Sequence, residues 1–407
     1  MGSVSAEWNQ ALVGLIWELA CGKWRVGWPR MRRTIYLVAG EHSGDTRGVE
    51  LMQALRKVWP ECEFLGLGGA KMREFSGGKV VDWVDEAAVV GLWEVLKRYG
   101  WFKERFEATK REIIECDPDA VIFIDYPGFN LRMAKALHAV GIRAKLIDYV
   151  SPQVWAWNKG RVIAMAEYLD LMLCLFPFEV DLFESAGLKT VCMGHPMVDQ
   201  LSAARIEGGR EEGLIGLFPG SREREVARLF PEMLEAVERA HERYPDWKFE
   251  AAAASSSLMG MMTSLREEAG VSEGVLSITD GGSHALMQRV TAGVVAGGTA
   301  TLEATFYGMS YCLVYKVAWP TYLAGRFLIQ IDHIGMANIL AGRTVAPEFL
   351  QMEASGESMF SFLESIMTEP SRREAMEREL LETAGKLGGG GAAVRAAEAI
   401  AELFEVS

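Results

Sequence analysis

The stretch TIYLVAGEHSGD, which runs from Thr34 to Asp45, decides the fold class of this 407-residue chain. It begins with a short, mostly apolar run of strand length, which Gly40 ends before a polar turn. Beyond the turn, apolar residues from Val49 to Val58 recur at helical spacing. A strand without polar alternation, followed by a turn and a helix, is typical of α/β proteins whose parallel sheet is buried on both faces.

The same pattern recurs in two series, which are separated by a linker near residues 203–212. We therefore predict an α/β fold with two Rossmann-like, doubly wound domains and a ligand cleft at the carboxyl ends of both sheets. The predicted strands are 34–39, 64–67, 120–124, 145–150 and 171–176, then 214–218, 249–253, 275–278, 292–296 and 311–315. The predicted regions are an extension of unknown role (1–30), a first domain (31–205), a second domain (206–369) and C-terminal helices (370–407).

Composition excludes several classes of protein. Half of the residues are apolar and 24% are charged, which is the balance of a soluble globular protein. A net charge of -13 argues against a nucleic-acid partner. No HExxH pair and no apolar run of about 18 residues occurs, so we expect neither a metal site nor a transmembrane helix. The scattered cysteines predict reduced thiols in the cytosol and no structural disulfide: Cys21, Cys62, Cys116, Cys174, Cys192 and Cys312.

The segment from Ala87 to Phe106 has an apolar and aromatic stripe with basic residues beside it. Such a face can dock on a bilayer. A helix packed on its own sheet has the same spacing, so periodicity alone leaves both interpretations open.

Two strand-to-helix turns in the second series have the composition of a phosphate site. Residues 218–223 read FPGSRE, in which Gly220 permits close backbone approach, Ser221 offers a hydroxyl and Arg222 offers a fork of donors. Residues 297–303 read GGTATLE, with two hydroxyls and a carboxylate at the same sheet edge. Two such turns in one domain favour a nucleotide site, whereas one alone would favour a simple helix cap.

In the first series, polar side chains crowd the turn at Gly40–Asp45, and Asp125 directly follows the apolar run 120–124. A carboxylate at the mouth of a sheet can act as a general base. Capping by Ser43 or Asp45 and turn formation by Asp125 are the alternatives at these positions. The aromatic stretch 149–157 and the turn residue His195 suit either a sugar site or a structural role.

Nine motifs in order resemble the lipid-A-disaccharide synthases. They are VAGEHSGD, GLGGAKM, IDYPGFN, YVSPQVWAW, PFE at 177–179, GHPMVD, PGSREREV, GTATLEA and NILAGR, spread from about Thr34 to Gln351. The resemblance implies a GT-B glycosyltransferase of family 19 that needs no cofactor. It would join the sugar of UDP-2,3-diacylglucosamine to 2,3-diacylglucosamine 1-phosphate (lipid X), forming a β-1,6-linked disaccharide 1-phosphate with inversion and releasing UDP.

The resemblance also implies roles for individual residues. Asp125 would be the general base, with Glu41 as a second catalytic residue and with Ser43 and Asp45 at the acceptor. The implied UDP-sugar contacts are Gly220, Ser221, Arg222, Thr299, Thr301, Glu303 and Asn338.

Partners follow from the same resemblance. It implies peripheral attachment to the cytoplasmic face of the inner membrane and C-terminal helices that cross back onto the first domain. A homodimer formed by exchange of those helices is a further hypothesis. The chain departs from the family at His42, at Gly297 and at Ile334–Ala337, which puts donor and acyl-chain preference in question. The alternatives are a UDP-N-acetylglucosamine epimerase or another lipid-linked transferase of the same fold, or a non-catalytic paralogue.

Overall fold

The computed structural model describes residues 33–87, 99–157, 160–319, 322 and 332–405. These residues form two parallel β-sheets with helices between successive strands, which confirms the predicted α/β class. The N-terminal extension and residues 88–98 of the amphipathic segment lie outside the described residues. The domain boundaries given above stay predictions.

The first sheet has seven strands. They are β1 (Thr34–Ala39), β2 (Glu63–Gly68), β3 (Val80–Asp82), β4 (Ala120–Ile124), β5 (Lys145–Tyr149), β6 (Leu171–Cys174) and β7 (Thr190–Cys192). The helices of this region are α1 (His42–Val58), α2 (Ala70–Phe75), α3 (Val84–Ala87), α4 (Tyr99–Cys116), α5 (Pro127–Ala139), α6 (Val154–Trp157), α7 (Arg161–Tyr168), α8 (Pro177–Glu184) and α9 (Met197–Ala203).

The second sheet has six strands. They are β8 (Glu211–Phe218), β9 (Lys248–Ala253), β10 (Leu276–Asp280), β11 (Val290–Ala296), β12 (Ser310–Tyr315) and β13 (Glu348–Leu350). The helices that follow β8 are α10 (Glu223–Arg243), α11 (Ser256–Glu268), α12 (Ser283–Arg289), α13 (Thr299–Phe306), α14 (Met336–Ala341), α15 (Gly356–Thr368), α16 (Pro370–Gly385) and α17 (Ala392–Glu405).

Strand order places a crevice in each sheet. The orders are β3-β2-β1-β4-β5-β6-β7 and β10-β9-β8-β11-β12-β13. In each sheet the chain adds strands first to one side and then to the other, and the change of side lies between the first and fourth strands. In open α/β sheets, ligands bind at this switch point, outside the carboxyl ends of the strands. The two switch points therefore lie beyond the ends of β1 and β4 and beyond the ends of β8 and β11.

The central strands are apolar because both of their faces are covered. Every residue of β4 and of β11 is buried. In β1, Ile35 and Leu37 pack in one apolar cluster, whereas Tyr36 and Val38 pack in another on the opposite face. Burial of successive side chains on both faces is the reason that these strands show no polar alternation.

The C-terminal helices contact both sheet regions. Helix α16 packs against α13 and β12, whereas α17 packs against α1 and β6. The Trp59 and Phe404 rings meet edge to face at 5.5 Å, and the Arg33 guanidinium lies 4.1 Å from the Phe404 ring centroid. The described residues contain no helix that is long and apolar enough to cross a bilayer.

Candidate active site

The switch point of the first sheet is closely packed. A Cβ atom on Gly40, just after β1, would lie 2.4 Å from the ring of Tyr126, just after β4. Any residue larger than glycine would therefore push the two turns apart. The Tyr126 hydroxyl donates to the carbonyl oxygen of Ala87 at 3.1 Å, which fixes the ring over this crevice.

Asp125 and Tyr126 both have left-handed backbone conformations, with φ of 53° each. Two consecutive non-glycine residues in this region are strained, and such strain concentrates at functional sites. The turn is held by Asn130, which is fully buried and whose amide donates to the carbonyl oxygens of Val38, Ile124 and Asp125. The strained turn directs the Asp125 carboxylate to the mouth of the sheet.

Arg47 of α1 forms an ion pair with Asp125 through its Nη1. About a quarter of each side chain is exposed, at 24% and 26%, so both groups remain reachable from solvent. Burial raises the pKa of Asp125 above the ordinary carboxyl value, and the charge and hydrogen bond of Arg47 oppose that shift. A carboxylate with a raised pKa is a stronger base than a free aspartate, which suits proton abstraction from a hydroxyl.

The other polar residues of the first turn divide into exposed and buried groups. Glu41 and Ser43 are exposed at the start of α1. Glu41 lies close enough to Tyr126 for its charge to help raise the pKa of that phenol, after burial. The structure therefore brings Glu41 to the same crevice as Asp125.

Asp45 is different, because its side chain is only 5% exposed and is fully engaged by backbone. Its Oδ1 accepts the N–H groups of Gly69 and Met72 at 2.9 and 3.0 Å, and its Oδ2 accepts that of Lys71 at 3.1 Å. These are the N–H groups at the start of α2, which have no intrahelical partner. Asp45 thus caps a neighbouring helix, and its predicted contact with the acceptor stays a prediction.

At the switch point of the second sheet, Gly220 has a φ of 108°, which favours glycine. A Cβ there would lie 2.7 Å from the Glu225 carboxylate, whose side chain would have to move. Ser221 and Arg222 are exposed, and Arg222 is 80% exposed with one nitrogen 2.9 Å from Glu225. The turn leads into the 21-residue helix α10, whose positive N-terminal end favours an anion.

The second turn of this sheet precedes α13. Thr299 is exposed, whereas Thr301 is 1% exposed and donates its hydroxyl to the Gly298 carbonyl at 2.7 Å. Glu303 is partly exposed and lies 3.5 Å from the imidazole of His284. The structure therefore presents Thr299 and Glu303 to solvent and uses the Thr301 hydroxyl within the turn.

Asn338 on α14 is buried and shapes a loop. Its Oδ1 accepts the N–H groups of Val345 and Ala346, and its amide donates to the Ala346 carbonyl and to Glu348, each at 2.7 to 2.9 Å. Glu348 also accepts the N–H groups of Ile334 and Gly335. These bonds occupy the Asn338 side chain, so it orders the segment beside β12 and β13.

Several residues of the site carry no obvious sequence signal. Arg47 lies in the middle of a helix, where a charged side chain is usually solvated. Glu348 follows no motif, and Glu179 of the PFE segment is buried, where it accepts from Ser151, from Trp155 Nε1 and from two backbone N–H groups. The partners of Arg47 and of these two acids become apparent only when the fold brings the groups together.

Trp155 of the aromatic stretch and His195 are both buried and have partners within the fold. Trp155 is 7% exposed and packs edge to face on Phe178. His195 is buried, accepts the Met197 N–H at Nδ1 and donates its own backbone N–H to the Leu387 carbonyl. Burial, with Arg47 nearby, lowers the pKa of His195 to about 4, so its ring is neutral at physiological pH.

The part of the chain described contains neither a metal-binding cluster nor a disulfide. No group of three or more His, Cys, Asp or Glu residues there has the arrangement of a metal site. The five cysteines in that part are all free.

Comparisons with known proteins agree with this geometry. The family described as lipid-A-disaccharide synthetase matches residues 35–401. The lipid-A-disaccharide synthase of Geobacter sulfurreducens is 37% identical over 381 residues, which cover 91% of this chain and 97% of that protein.

Solved structures share the fold at much lower identity. The putative UDP-N-acetylglucosamine 2-epimerase of Listeria monocytogenes aligns with a TM-score of 0.60 at 13% identity and covers 92% of this chain and 98% of its own. MurG of Acinetobacter baumannii aligns with a TM-score of 0.56 at 12% identity, covering 91% and 99%. These likenesses support the GT-B architecture alone, whereas the match over 35–401 is specific: the chain belongs to the lipid-A-disaccharide synthetase family.

Proposed function

We propose that this protein transfers 2,3-diacylglucosamine from its UDP derivative to the 6-hydroxyl of 2,3-diacylglucosamine 1-phosphate, forming a β-1,6-linked disaccharide and UDP. The proposal rests on the complementary groups found at the two switch points. One has the strained, partly buried carboxylate of Asp125, and the other has a Gly-Ser-Arg turn at the N-terminus of α10. A base and an anion site are the two requirements of an inverting transfer from a nucleotide sugar.

In this mechanism Asp125 accepts the proton of the acceptor hydroxyl as its oxygen attacks the anomeric carbon. Glu41, exposed at the same crevice, helps to orient the acceptor. The carboxylate is a stronger base than free aspartate because burial disfavours its charged form. The attack comes from the face opposite the departing diphosphate, so the anomeric configuration inverts.

The second domain stabilises the departing UDP. Arg222 offers a bidentate fork to the diphosphate, and the Gly220–Ser221 turn and the α10 N-terminus present N–H groups to it. Glu303 and Thr299 are the exposed groups of the neighbouring turn, and we assign them to the ribose and phosphates. Asn338 contributes indirectly, since its side chain orders the loop beside the site.

We further propose that the protein acts at the cytoplasmic face of the inner membrane, because both substrates carry acyl chains. On α4, Trp101 and Phe102 are partly exposed and Lys103 is exposed. Trp101 also stacks on Trp83 at 6.1 Å, which anchors the start of this helix to the first sheet. Sedimentation with vesicles of anionic lipid tests the attachment, and a Trp101→Ser variant that binds as well as the wild type would contradict it.

A homodimer formed by exchange of residues 370–407 is also part of the proposal. The contacts of α17 with α1 supply the surface that such an exchange would use. Light scattering should then give the mass of two chains for the full-length protein. A monomer at micromolar concentration would contradict the exchange of these helices between two chains.

The reaction is tested by incubating the protein with UDP-2,3-diacylglucosamine, with and without the acceptor. The expected result is release of UDP only when the acceptor is present, together with a product of disaccharide mass. An isomerised sugar nucleotide without transfer would instead indicate an epimerase. No turnover under any condition would favour a non-catalytic paralogue.

A further inference from the structure

Two cysteines lie side by side at the carboxyl ends of β6 and β7. Cys174 and Cys192 are register partners on these parallel strands. Neighbouring strands are about 4.8 Å apart, within the Cα separation of about 4.4 to 6.8 Å that a disulfide spans. Side chains of paired residues on adjacent strands project to the same face of a sheet, so the two thiols lie side by side.

The two thiols differ in exposure and in acidity. Cys174 is buried, and its Sγ lies 3.6 Å from the carbonyl oxygen of Phe176, whereas Cys192 is partly exposed. The neighbouring Cys174 thiol lowers the pKa of Cys192, and the N–H of Gly194 and the charge of Arg395 act in the same direction. The neighbouring Cys192 thiol and burial raise the pKa of Cys174. A partly exposed, more acidic thiol beside a buried thiol is the arrangement of an attacking and a resolving cysteine.

Cys116 provides an internal comparison. It is also partly exposed, but burial and the nearby Glu112 raise its pKa to about 11. Exposure alone therefore does not make a thiol of this chain reactive at neutral pH.

We propose that Cys174 and Cys192 form a reversible oxidation site whose oxidant is a peroxide. The Cys192 thiolate attacks a peroxide oxygen, the O–O bond breaks, and the product is a sulfenic acid and one water or alcohol. Cys174 then attacks the Cys192 sulfur, the S–O bond breaks, and water leaves as the disulfide forms. Overall, two thiols are oxidised, one peroxide is reduced, and both thiol protons leave in the products.

The location connects this site to the C-terminal helices. The carbonyl oxygen of Met193, next to Cys192, accepts a hydrogen bond from Arg395 Nε of α17 at 2.8 Å. The backbone N–H of His195 donates to the carbonyl of Leu387, also at 2.8 Å. Arg395 lies close enough for its charge to help lower the pKa of Cys192, so oxidation of this thiol changes a group that interacts with α17. The modified pair thus lies at the contact between α17 and the first sheet.

The test uses the folded, full-length protein and hydrogen peroxide. After treatment near neutral pH, remaining thiols are alkylated and the chain is digested with trypsin. Cleavage after Lys189 separates residues 162–189 from 190–205, and each peptide contains one of the two cysteines. The expected product is a linked pair of these peptides, lighter by two hydrogens than their sum, which dithiothreitol separates.

Variants make the test specific. Cys116→Ser should leave the link unchanged, whereas Cys174→Ser should trap Cys192 as sulfenic or higher acids. Before oxidation, Cys192 should be alkylated near neutral pH at least about tenfold faster than Cys116, because only the thiolate reacts. Conversion of wild-type Cys192 to sulfinic acid without the linked peptides, or equal alkylation of Cys192 and Cys116, would overturn the proposal. The linked peptides and the alkylation rates are both measured on the wild-type protein, so these two tests do not require the variants to fold.

Discussion

Arg47 and Asp125 form an ion pair across 78 residues of chain, joining helix α1 to the strained turn after β4. The guanidinium opposes the rise in the pKa of Asp125 that burial causes. It therefore favours the ionised carboxylate, whereas burial favours the protonated form and makes the carboxylate a stronger base. The balance between these two effects determines the pH range in which Asp125 can accept a proton.

Arg47→Met should move the acid limb of the kcat/KM profile to higher pH. Removal of the positive charge leaves burial unopposed, so the pKa of Asp125 rises and the base form is lost at a higher pH. Arg47→Lys retains the charge and should move the limb less. An acid limb that is the same in wild type and Arg47→Met would show that Asp125 does not set it.

Asp45→Ala should destabilise the fold by about 2 to 4 kcal/mol, because the N–H groups at the start of α2 lose their acceptor. Urea unfolding measures the change, and Asp45→Asn, which keeps an acceptor oxygen, should lose less. If stability is unchanged while KM for the acceptor rises, the side chain contacts the acceptor as the family resemblance implies.

Arg222→Met should weaken UDP binding by about tenfold to a hundredfold, since hydrogen bonds to charged groups contribute about 1.5 to 3 kcal/mol. Titration calorimetry with UDP measures it directly. Arg228→Met is the matched control, because Arg228 is an exposed arginine further along α10. Equal losses in the two variants would indicate a general effect of charge and no specific contact by Arg222.

His195 should make stability depend on pH in mildly acidic solution. The unfolded chain protonates this ring near its ordinary pKa of 6.5, whereas the folded chain does so at about 4. Between these values the unfolded state binds more protons, so stability is fully present above 6.5 and is lost as the pH falls toward 4. The loss is roughly 3 kcal/mol.

The check is the difference between wild type and His195→Asn, measured by urea unfolding at several pH values. Asn cannot titrate, yet its oxygen can accept the Met197 N–H. The wild type should lose more stability than the variant across this window. Parallel curves would contradict the assignment of the pH dependence to His195.

The sequence predicts the sheet class and the turns of the site, because both depend on local patterns. Apolar runs such as 120–124 form strands wherever both faces are buried, and glycine with polar residues marks the turns that follow them. The short edge strands β3, β7 and β13 were not predicted. Each has three residues, too few for any periodicity to appear.

The partners within the site could not be predicted for a different reason. Arg47 meets Asp125, and Asp45 meets Gly69, only after the strands are ordered in space. The sequence marks Asp45 and Asn338 as polar residues near a ligand, but burial and hydrogen bonding to backbone give both a role in the fold. A polar residue in a motif can thus have a role in the fold in addition to its predicted contact with a ligand.

The central claim is that Asp125 is the base of an acceptor-dependent sugar transfer, and Asp125→Asn tests it most directly. UDP release from UDP-2,3-diacylglucosamine is measured with 2,3-diacylglucosamine 1-phosphate present and absent, for wild type and variant. General base catalysis of this kind contributes about a hundredfold to ten-thousandfold, so release should fall by that factor while the affinity for UDP and the melting temperature stay unchanged. Acceptor-dependent release by Asp125→Asn at the wild-type rate would contradict the account.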